Sequence, residues 1–193
     1  MFGTNMPTPT GTGGCGNNTG GQLATYNAYL PIQQTYAKYG QLWPYVQSFK
    51  IFMCPADKPD ANYYLRNVYI SSYVWNGAIV GYGQNGAGPG GYRTTFKLTQ
   101  FKPDAVLEWE ADEQSPFFFN DASSYPDEGI SSRHGKGATL GQFGGTTVKI
   151  NVKQWYDNKD LYAGALGQRG AQVVVLPNRA WCNPGKPRGT ELN

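Results

Sequence analysis

The chain has 193 residues, with 26 Gly, 13 Pro, 14 Tyr, 9 Phe and 5 Trp, and its 16 basic and 13 acidic residues leave a formal net charge of +3. This length suits one domain with a hydrophobic core, and the mild charge without a run of lysines or arginines argues against a nucleic-acid-binding patch. Abundant glycine and aromatic residues favour twisted sheets and long loops over a helical bundle.

The first 22 residues, MFGTNMPTPTGTGGCGNNTGGQ, are nearly all Gly, Thr, Asn and Pro. Few of these side chains can offset the entropy that ordering the segment would cost. We therefore predict a tail over residues 1–22 and a globular domain over residues 23–193. The tail is a candidate contact to a neighbouring subunit, made by adding a strand to a sheet edge.

Residues 40–57, GQLWPYVQSFKIFMCPAD, carry the first strong pattern. Leu42, Tyr45 and Phe49 recur at helical spacing, which predicts a short helix over residues 41–49 with these side chains in the core. The proline after Cys54 stops a helix and favours extended backbone at the cysteine. The segment is therefore predicted to be a packing module that ends in a fixed cysteine.

The rest of the chain is predicted to form mainly strands and loops. Asn76-Gly77 and Gly144-Gly145 are turn signals, and the second is typical of a hairpin. A short helix is expected over residues 153–161 and a long polar loop over residues 112–137. The strands predicted from alternating patterns and β-forming residues cover residues 68–75, 92–98, 105–111, 138–143, 146–152 and 172–176.

Neither a cofactor motif nor a catalytic triad is predicted. Two Gly-x-Gly-x-x-Gly matches, at residues 11–16 and 81–86, lack the preceding strand and following helix that a dinucleotide site requires. The single histidine, His134, has Ser131 and Ser132 beside it, but the chain contains no Gly-x-Ser-x-Gly elbow. We interpret His134 as a structural residue in a loop and expect no enzymatic activity.

Glu108, Glu110 and Asp112 alternate along the predicted strand at residues 105–111, so they are expected to share one face, with Trp109 on the other. Carboxylates placed in this way repel one another unless positive charge balances them. Three arrangements remain open: a solvated face with salt bridges, a calcium site completed by oxygen ligands from the following loop, or a pair of catalytic carboxylates, of which the first is favoured. Calcium is the one cofactor that the sequence suggests. Candidate salt-bridge partners are Arg133, His134 and Lys136.

Cys15, Cys54 and Cys182 lie far apart without a Cys-x-x-Cys pair, which argues against a zinc site. Cys54 and Cys182 both have prolines close by, which favours a Cys54–Cys182 disulfide, and a bridge from Cys15 to either of them is the rival. Few charges with many Tyr, Asn, Thr and Gly are typical of an exported protein, and one disulfide fits an oxidising compartment.

Five motifs follow one another over residues 30–190: Cys54-Pro55 with Asp57, the YVWNG strand at residues 73–77, the acidic strand at residues 106–108, Arg133-His134, and a turn at Trp181 near the C-terminus. In order and spacing they resemble the motifs of bacterial type II secretion pseudopilin-like proteins with a prepilin-type N-terminus, in the branch called the H-x9-DG family. Cys54, Pro55 and Asp57 match the Cys-Pro-x-Asp signature of that family, and Arg133-His134 matches the start of its naming motif.

The naming motif is incomplete. Gly144 stands at the position of its Asp, and Gly145 retains only the glycine of its Asp-Gly pair. The resemblance implies an α+β pilin-like head with an antiparallel sheet, one or two short helices and long ordered loops. It also implies a structural subunit of an extracellular filament or secretion pseudopilus, placed outside the cell, at its surface or in the periplasm. The expected partners are copies of the chain or related subunits. The apolar N-terminal helix of pilins is not in this sequence, so membrane contact is expected only through such a missing segment.

An alternative from another functional class is a secreted carbohydrate-binding or adhesive module. Exposed Tyr and Trp rings can stack on sugars. This alternative predicts at least two coplanar aromatic rings along an open groove, and tryptophans that are not buried.

Overall fold

The computed structural model describes residues 23–80, 96–120, 122–157 and 179–180. The chain divides into two compact units, here called the first unit (Met1–Tyr73 and Glu113–Ala122) and the second unit (Val74–Asp112 and Ser123–Asn193). The predicted tail, the strand expected over residues 172–176, and Cys15, Trp181 and Cys182 lie outside the described residues.

Among the described residues of the first unit, the longest helix is α1 (Leu23–Lys38), which the sequence did not predict. Pro31 lies inside α1, where it removes one backbone donor and gives the pattern of a helix end. Two residues later, the carboxamide of Gln33 makes a tertiary contact, in which its Oε1 accepts the N–H groups of Tyr69 and Ile70 at 2.8 and 3.2 Å. These bonds hold α1 against the chain that precedes the sheet.

The same bonds explain why the strand expected over residues 68–75 is shorter than predicted. The N–H of Val68 donates to the carbonyl of Phe119 at 2.9 Å, and the next two N–H groups go to Gln33. Backbone donors used in this way cannot join a ladder. The strand therefore begins only at Tyr73, as β1 (Tyr73–Asn76).

The helix predicted over residues 41–49 is wrong in extent and in orientation. The chain forms α2 (Trp43–Val46) and then a 3₁₀ turn (Phe49–Phe52), separated by Gln47 at a positive φ of 46°. Leu42 and Tyr45 are 52% and 86% exposed, whereas the rings of Trp43 and Phe49 pack with their centroids 4.6 Å apart. The left-handed residue ends the helical register after Val46, so Phe49 does not continue the face of Leu42 and Tyr45.

The remaining helix of the first unit, α3 (Ala61–Tyr64), starts where Asp60 caps it by accepting the N–H of Tyr63 at 2.8 Å. Around it lies an aromatic core in place of an aliphatic one. The ring of Tyr26 packs edge-on against those of Tyr63 and Tyr69 at 5.8 and 5.3 Å. A 3₁₀ turn (Pro116–Phe119) also belongs to this unit and places Phe119 in its core.

A five-stranded sheet in the order β3-β1-β2-β4-β5 organises the second unit. The further strands are β2 (Val106–Glu110), β3 (Ser123–Ser124), β4 (Gly137–Gln142) and β5 (Thr147–Asn151). β2 pairs with β4, and β4 with β5, in antiparallel fashion, whereas β1 and β3 run parallel. The α+β class is confirmed, and the sheet is mixed because the long connection from β1 to β3 allows parallel pairing.

Two predictions from local patterns are confirmed in this unit. The strand expected over residues 105–111 is β2 (Val106–Glu110), and Trp109 and Ala111 are fully buried. The hairpin of β4 and β5 turns at Gly145, whose φ of 80° suits glycine and whose N–H donates to Gln142 O at 2.9 Å.

The second unit also contains short helical segments. The helix expected over residues 153–161 is confirmed over its described part as α5 (Val152–Asp157), and residues 158–161 lie outside the described residues. The predicted turn at Asn76-Gly77 instead starts α4 (Gly77–Val80), and the strand expected over residues 92–98 gives way to a 3₁₀ turn at Leu98–Gln100, with residues 92–95 outside the described residues. The loop predicted over residues 112–137 contains β3 and two 3₁₀ turns, Pro116–Phe119 and Pro126–Glu128.

Candidate functional site

Glu110 and His134 meet in the second unit, as expected from the naming of His134 among the candidate salt-bridge partners of the acidic strand. Nε2 of His134 lies 3.0 Å from Oε1 of Glu110, and Oε2 of Glu110 accepts the N–H of Thr139 at 2.7 Å. The Glu110 side chain is fully buried, whereas that of His134 is about one-third exposed. Both carboxylate oxygens therefore serve as tethers, one to the loop before β4 and one to β4 itself.

The loop before β4 folds so that His134 reaches this carboxylate. Ser131 starts it by donating its N–H to Glu110 O at 2.8 Å, and His134 donates its own N–H to Gly137 O at 3.1 Å. Gly135 and Lys136 have positive φ values of 67° and 66°, which turn the chain sharply into β4. The result is a compact loop. At the end of β2 the Glu110 carboxylate, in place of a backbone carbonyl, accepts the N–H of Thr139.

The three acidic residues of β2 and its end do not form one site. Glu108, Glu110 and Asp112 do not bring three ligand oxygens within 4.8 Å of one another. Glu108 packs against Gly141, where a Cβ would lie 2.9 Å from Glu108 Cγ, and Asp112 lies beside Gly129. The solvated face expected for these residues is wrong for Glu110, which is buried. A calcium site built from these three carboxylates has no support in their geometry.

Burial also changes the chemistry of Glu108. Desolvation raises the pKa of its carboxyl group above the ordinary glutamate value. In the following loop, the Glu128 carboxylate accepts a hydrogen bond from the Ser124 hydroxyl. This acidic side chain of the proposed calcium loop is thus already engaged within its own unit.

The Cys-Pro-x-Asp run forms a second buried polar cluster, in the first unit. Arg66 Nη1 and Nη2 donate to Asp57 Oδ2 and Oδ1 at 2.7 and 3.0 Å, which is a bidentate ion pair. Ser72 Oγ donates to Asp57 Oδ2 at 2.7 Å and accepts the N–H of Cys54 at 3.0 Å. The signature and the residue before the YVWNG strand are therefore tied together.

Aromatic rings hold the other side of this ion pair. The guanidinium carbon of Arg66 lies 3.8 Å from the centroid of Phe119 and 4.5 Å from that of Tyr63. Burial is the main cause of a strongly raised pKa at the Tyr63 hydroxyl, which donates to Tyr69 O at 2.7 Å. Sequence reasoning missed Arg66, although a lone cation inside the aromatic run YYLRNVYI is a signal for a buried pair.

Asn76 is a third buried polar residue from the motifs, in the second unit. Its Nδ2 donates to the carbonyls of Val106 and Ala180 at 2.9 and 2.7 Å. The side chain is fully buried, so both bonds form without competition from water. Asn76 thereby joins the end of β1 to β2 and to residue 180.

The other motif residues have mainly backbone roles. Cys54 is buried, and Pro55 follows it in a turn that Asp57 closes by donating its N–H to Cys54 O at 2.9 Å. The Cys54–Cys182 disulfide stays a prediction, because Cys182 lies outside the described residues. Arg133 is half-buried, and its N–H donates to Ser131 Oγ at 3.1 Å.

The chain matches no protein-family model, no curated protein and no solved structure. Among the described residues, none of the helices combines the length and the apolar character that crossing a bilayer requires.

Proposed function

We propose that the chain is a structural subunit of an extracellular filament or secretion pseudopilus, of the pilin-like class, acting through contacts between subunits. One observation carries this proposal: Asp57, Asn76 and Glu110 are buried and hydrogen-bonded within their own units. Buried and satisfied polar groups make a fold rigid and specific. A catalytic group must instead reach a substrate.

Exposed apolar side chains supply surface for association. Leu42, Tyr45 and Ile51 of the first unit, here called the 42–51 surface, are all at least half exposed. Tyr45 N donates to Leu42 O at 3.0 Å, so these two side chains lie one turn apart on the same side. Exposed apolar residues that lie together, as Leu42 and Tyr45 do, commonly mark a protein–protein contact.

Two buried tryptophans count against the carbohydrate-binding alternative, whereas Trp75 is 36% exposed. Trp109 and Trp155 are fully buried and pack against each other with centroids 5.6 Å apart. The indole N–H of Trp155 donates to Pro126 O at 2.8 Å. These tryptophans form core of the second unit and offer no ring to a sugar.

Negative-stain microscopy and sedimentation velocity of the purified chain test the proposal. Wild type is expected to form fibres or higher oligomers, and a Leu42→Ser/Tyr45→Ser variant is expected to lose them while keeping its circular dichroism spectrum. Leu98→Ser is the matched control, because Leu98 is a 65% exposed apolar residue of the second unit. A wild-type chain that stays monomeric and binds glycans on an array would overturn the proposal.

A further inference from the structure

β5 is the last strand of the described sheet, with β4 on one side and none of the described strands on the other. It ends the strand order β3-β1-β2-β4-β5 and pairs only with β4 among the described strands. Within it, Ile150 is buried, whereas Thr147, Val148, Lys149 and Asn151 are exposed. Such a strand offers backbone donors and acceptors to another chain.

The hydrogen bonds that flank the β4–β5 ladder show which backbone groups point outward. Thr146 O accepts from Gln142, and Val152 N donates to Lys136 O at 2.9 Å, so even-numbered residues of β5 face β4. Successive residues of a strand direct their N–H and C=O groups to opposite sides. The groups of Thr147, Lys149 and Asn151 therefore point away from the sheet.

Only part of this outward row is available for pairing. Asn151 donates its N–H to Gln154 Oε1 at 3.2 Å, in a reciprocal cap at the start of α5. For Thr147 and Lys149 the described part of the chain holds no partner for the outward backbone groups. Thr147, Val148 and Lys149 are the open edge of β5.

We propose that the open edge pairs with the open edge of a second copy of this chain, in antiparallel fashion about a two-fold axis at Val148. Thr147 then lies opposite the partner's Lys149, and Lys149 opposite the partner's Thr147. Each of these pairs exchanges both of its N–H···O=C bonds. The two Val148 side chains meet in the non-hydrogen-bonded position, where cross-strand side chains approach most closely.

Charge and backbone geometry select this register. An axis at Lys149 would place two lysines directly opposite each other, which is destabilising. An axis at Thr147 would place Lys149 opposite Gly145, which has a φ of 80° and lies in the hairpin turn. The axis at Val148 alone uses the whole open edge and keeps each lysine beside a threonine.

The side chains on the two faces of β5 fit the same arrangement. Val148 shares a face with Ile150, which is 5% exposed, whereas Val148 itself is 36% exposed. Pairing two copies at the open edge continues this apolar face from one sheet into the next. The second copy thus covers a side chain that its own sheet leaves half uncovered.

The edge-to-edge dimer is a proposal additional to the filament, and experiment can refute either one without the other. A two-fold contact closes on itself and gives a dimer, so a filament also needs another surface such as the 42–51 surface. Loss of the dimer with fibres retained would remove only this inference. Loss of fibres with the dimer retained would remove only the proposed function.

Sedimentation velocity of the full chain, from about 10 µM to about 1 mM, tests the contact in the range where weak dimers become populated. Lys149→Pro removes an outward N–H and leaves the β4–β5 ladder intact, so the monomer keeps its fold. We expect its dimerisation to be at least about tenfold weaker than that of wild type, because two hydrogen bonds of the dimer are lost. Lys149→Ala is the matched control and should dimerise at least as well as wild type.

A cysteine at the axis tests the register. Val148→Cys should form disulfide-linked dimers under mild oxidation, because the two Cβ atoms of a directly opposed pair are about 4.5–5.5 Å apart. Thr147→Cys should cross-link no more than wild type, since its opposite residue is the partner's Lys149. Equal dimerisation of the proline and alanine variants, or equal cross-linking of both cysteine variants, would overturn the proposal. So would a wild-type chain that stays monomeric, or a dimer that disappears when residues 1–22 are removed.

Discussion

The buried pair of Asp57 and Arg66 yields the most quantitative prediction. Both side chains are 2% exposed, and Asp57→Asn would leave the Arg66 guanidinium buried without its counter-ion. Breaking a buried ion pair from one side costs about 3–5 kcal/mol of folding free energy. Arg66 Nε already has no hydrogen-bond partner, so the described structure offers the guanidinium no second acceptor there. We therefore expect a loss of at least about 3 kcal/mol.

Urea denaturation followed by far-ultraviolet circular dichroism measures this loss. Asp104→Asn is the control, because Asp104 and Arg179 form an ion pair of similar length, 3.0 Å, that is 43% and 48% exposed. An exposed pair of this kind is worth about 0–1 kcal/mol. The double variant Asp57→Asn/Arg66→Met should regain part of the loss, since it removes the uncompensated charge. Equal destabilisation by the two single variants would refute the reasoning from burial.

Three further substitutions have defined outcomes. Because burial raises the pKa of Glu108, the folded state binds its proton more tightly than the unfolded chain, and this carboxyl group lowers stability as pH rises through that pKa. Glu108→Gln should thus be more stable than wild type at pH 7. In urea titrations at several pH values, the difference in stability should vanish below about pH 4.3. A gain in stability that is constant with pH would contradict a raised pKa at Glu108. Glu110→Gln should cost about 1–3 kcal/mol in the same assay, because a carboxamide cannot accept at both of its terminal atoms from His134 and Thr139; unchanged stability would show that the tether is dispensable. Gly145→Ala should lower the thermal midpoint, because alanine at a φ of 80° carries about 1–2 kcal/mol of backbone strain. Gly144→Ala would instead test the close approach of Gly144 to Pro103 O.

Local patterns were reliable where neighbouring residues carry the whole signal. β2 was predicted from its alternation and the β4–β5 hairpin from Gly144-Gly145, because a tight turn with positive φ depends on glycine at that position. Local patterns failed where a contact between distant segments determines the secondary structure. The carboxamide of Gln33 helps to hold α1 despite Pro31, and it takes donors that the sequence assigned to a strand.

The amino-acid sequence by itself determined the strand at residues 105–111 and the hairpin, and it named His134 among the candidate partners of Glu110, whereas the α+β class was expected from the family resemblance. Only the tertiary structure decided that Arg66 neutralises Asp57, that Glu110 is buried against His134, and that Leu42 and Tyr45 face solvent. The physical reason is that a residue's charge and hydropathy are local properties. Burial and hydrogen-bond partners instead depend on segments that are distant in sequence and approach only when the chain folds.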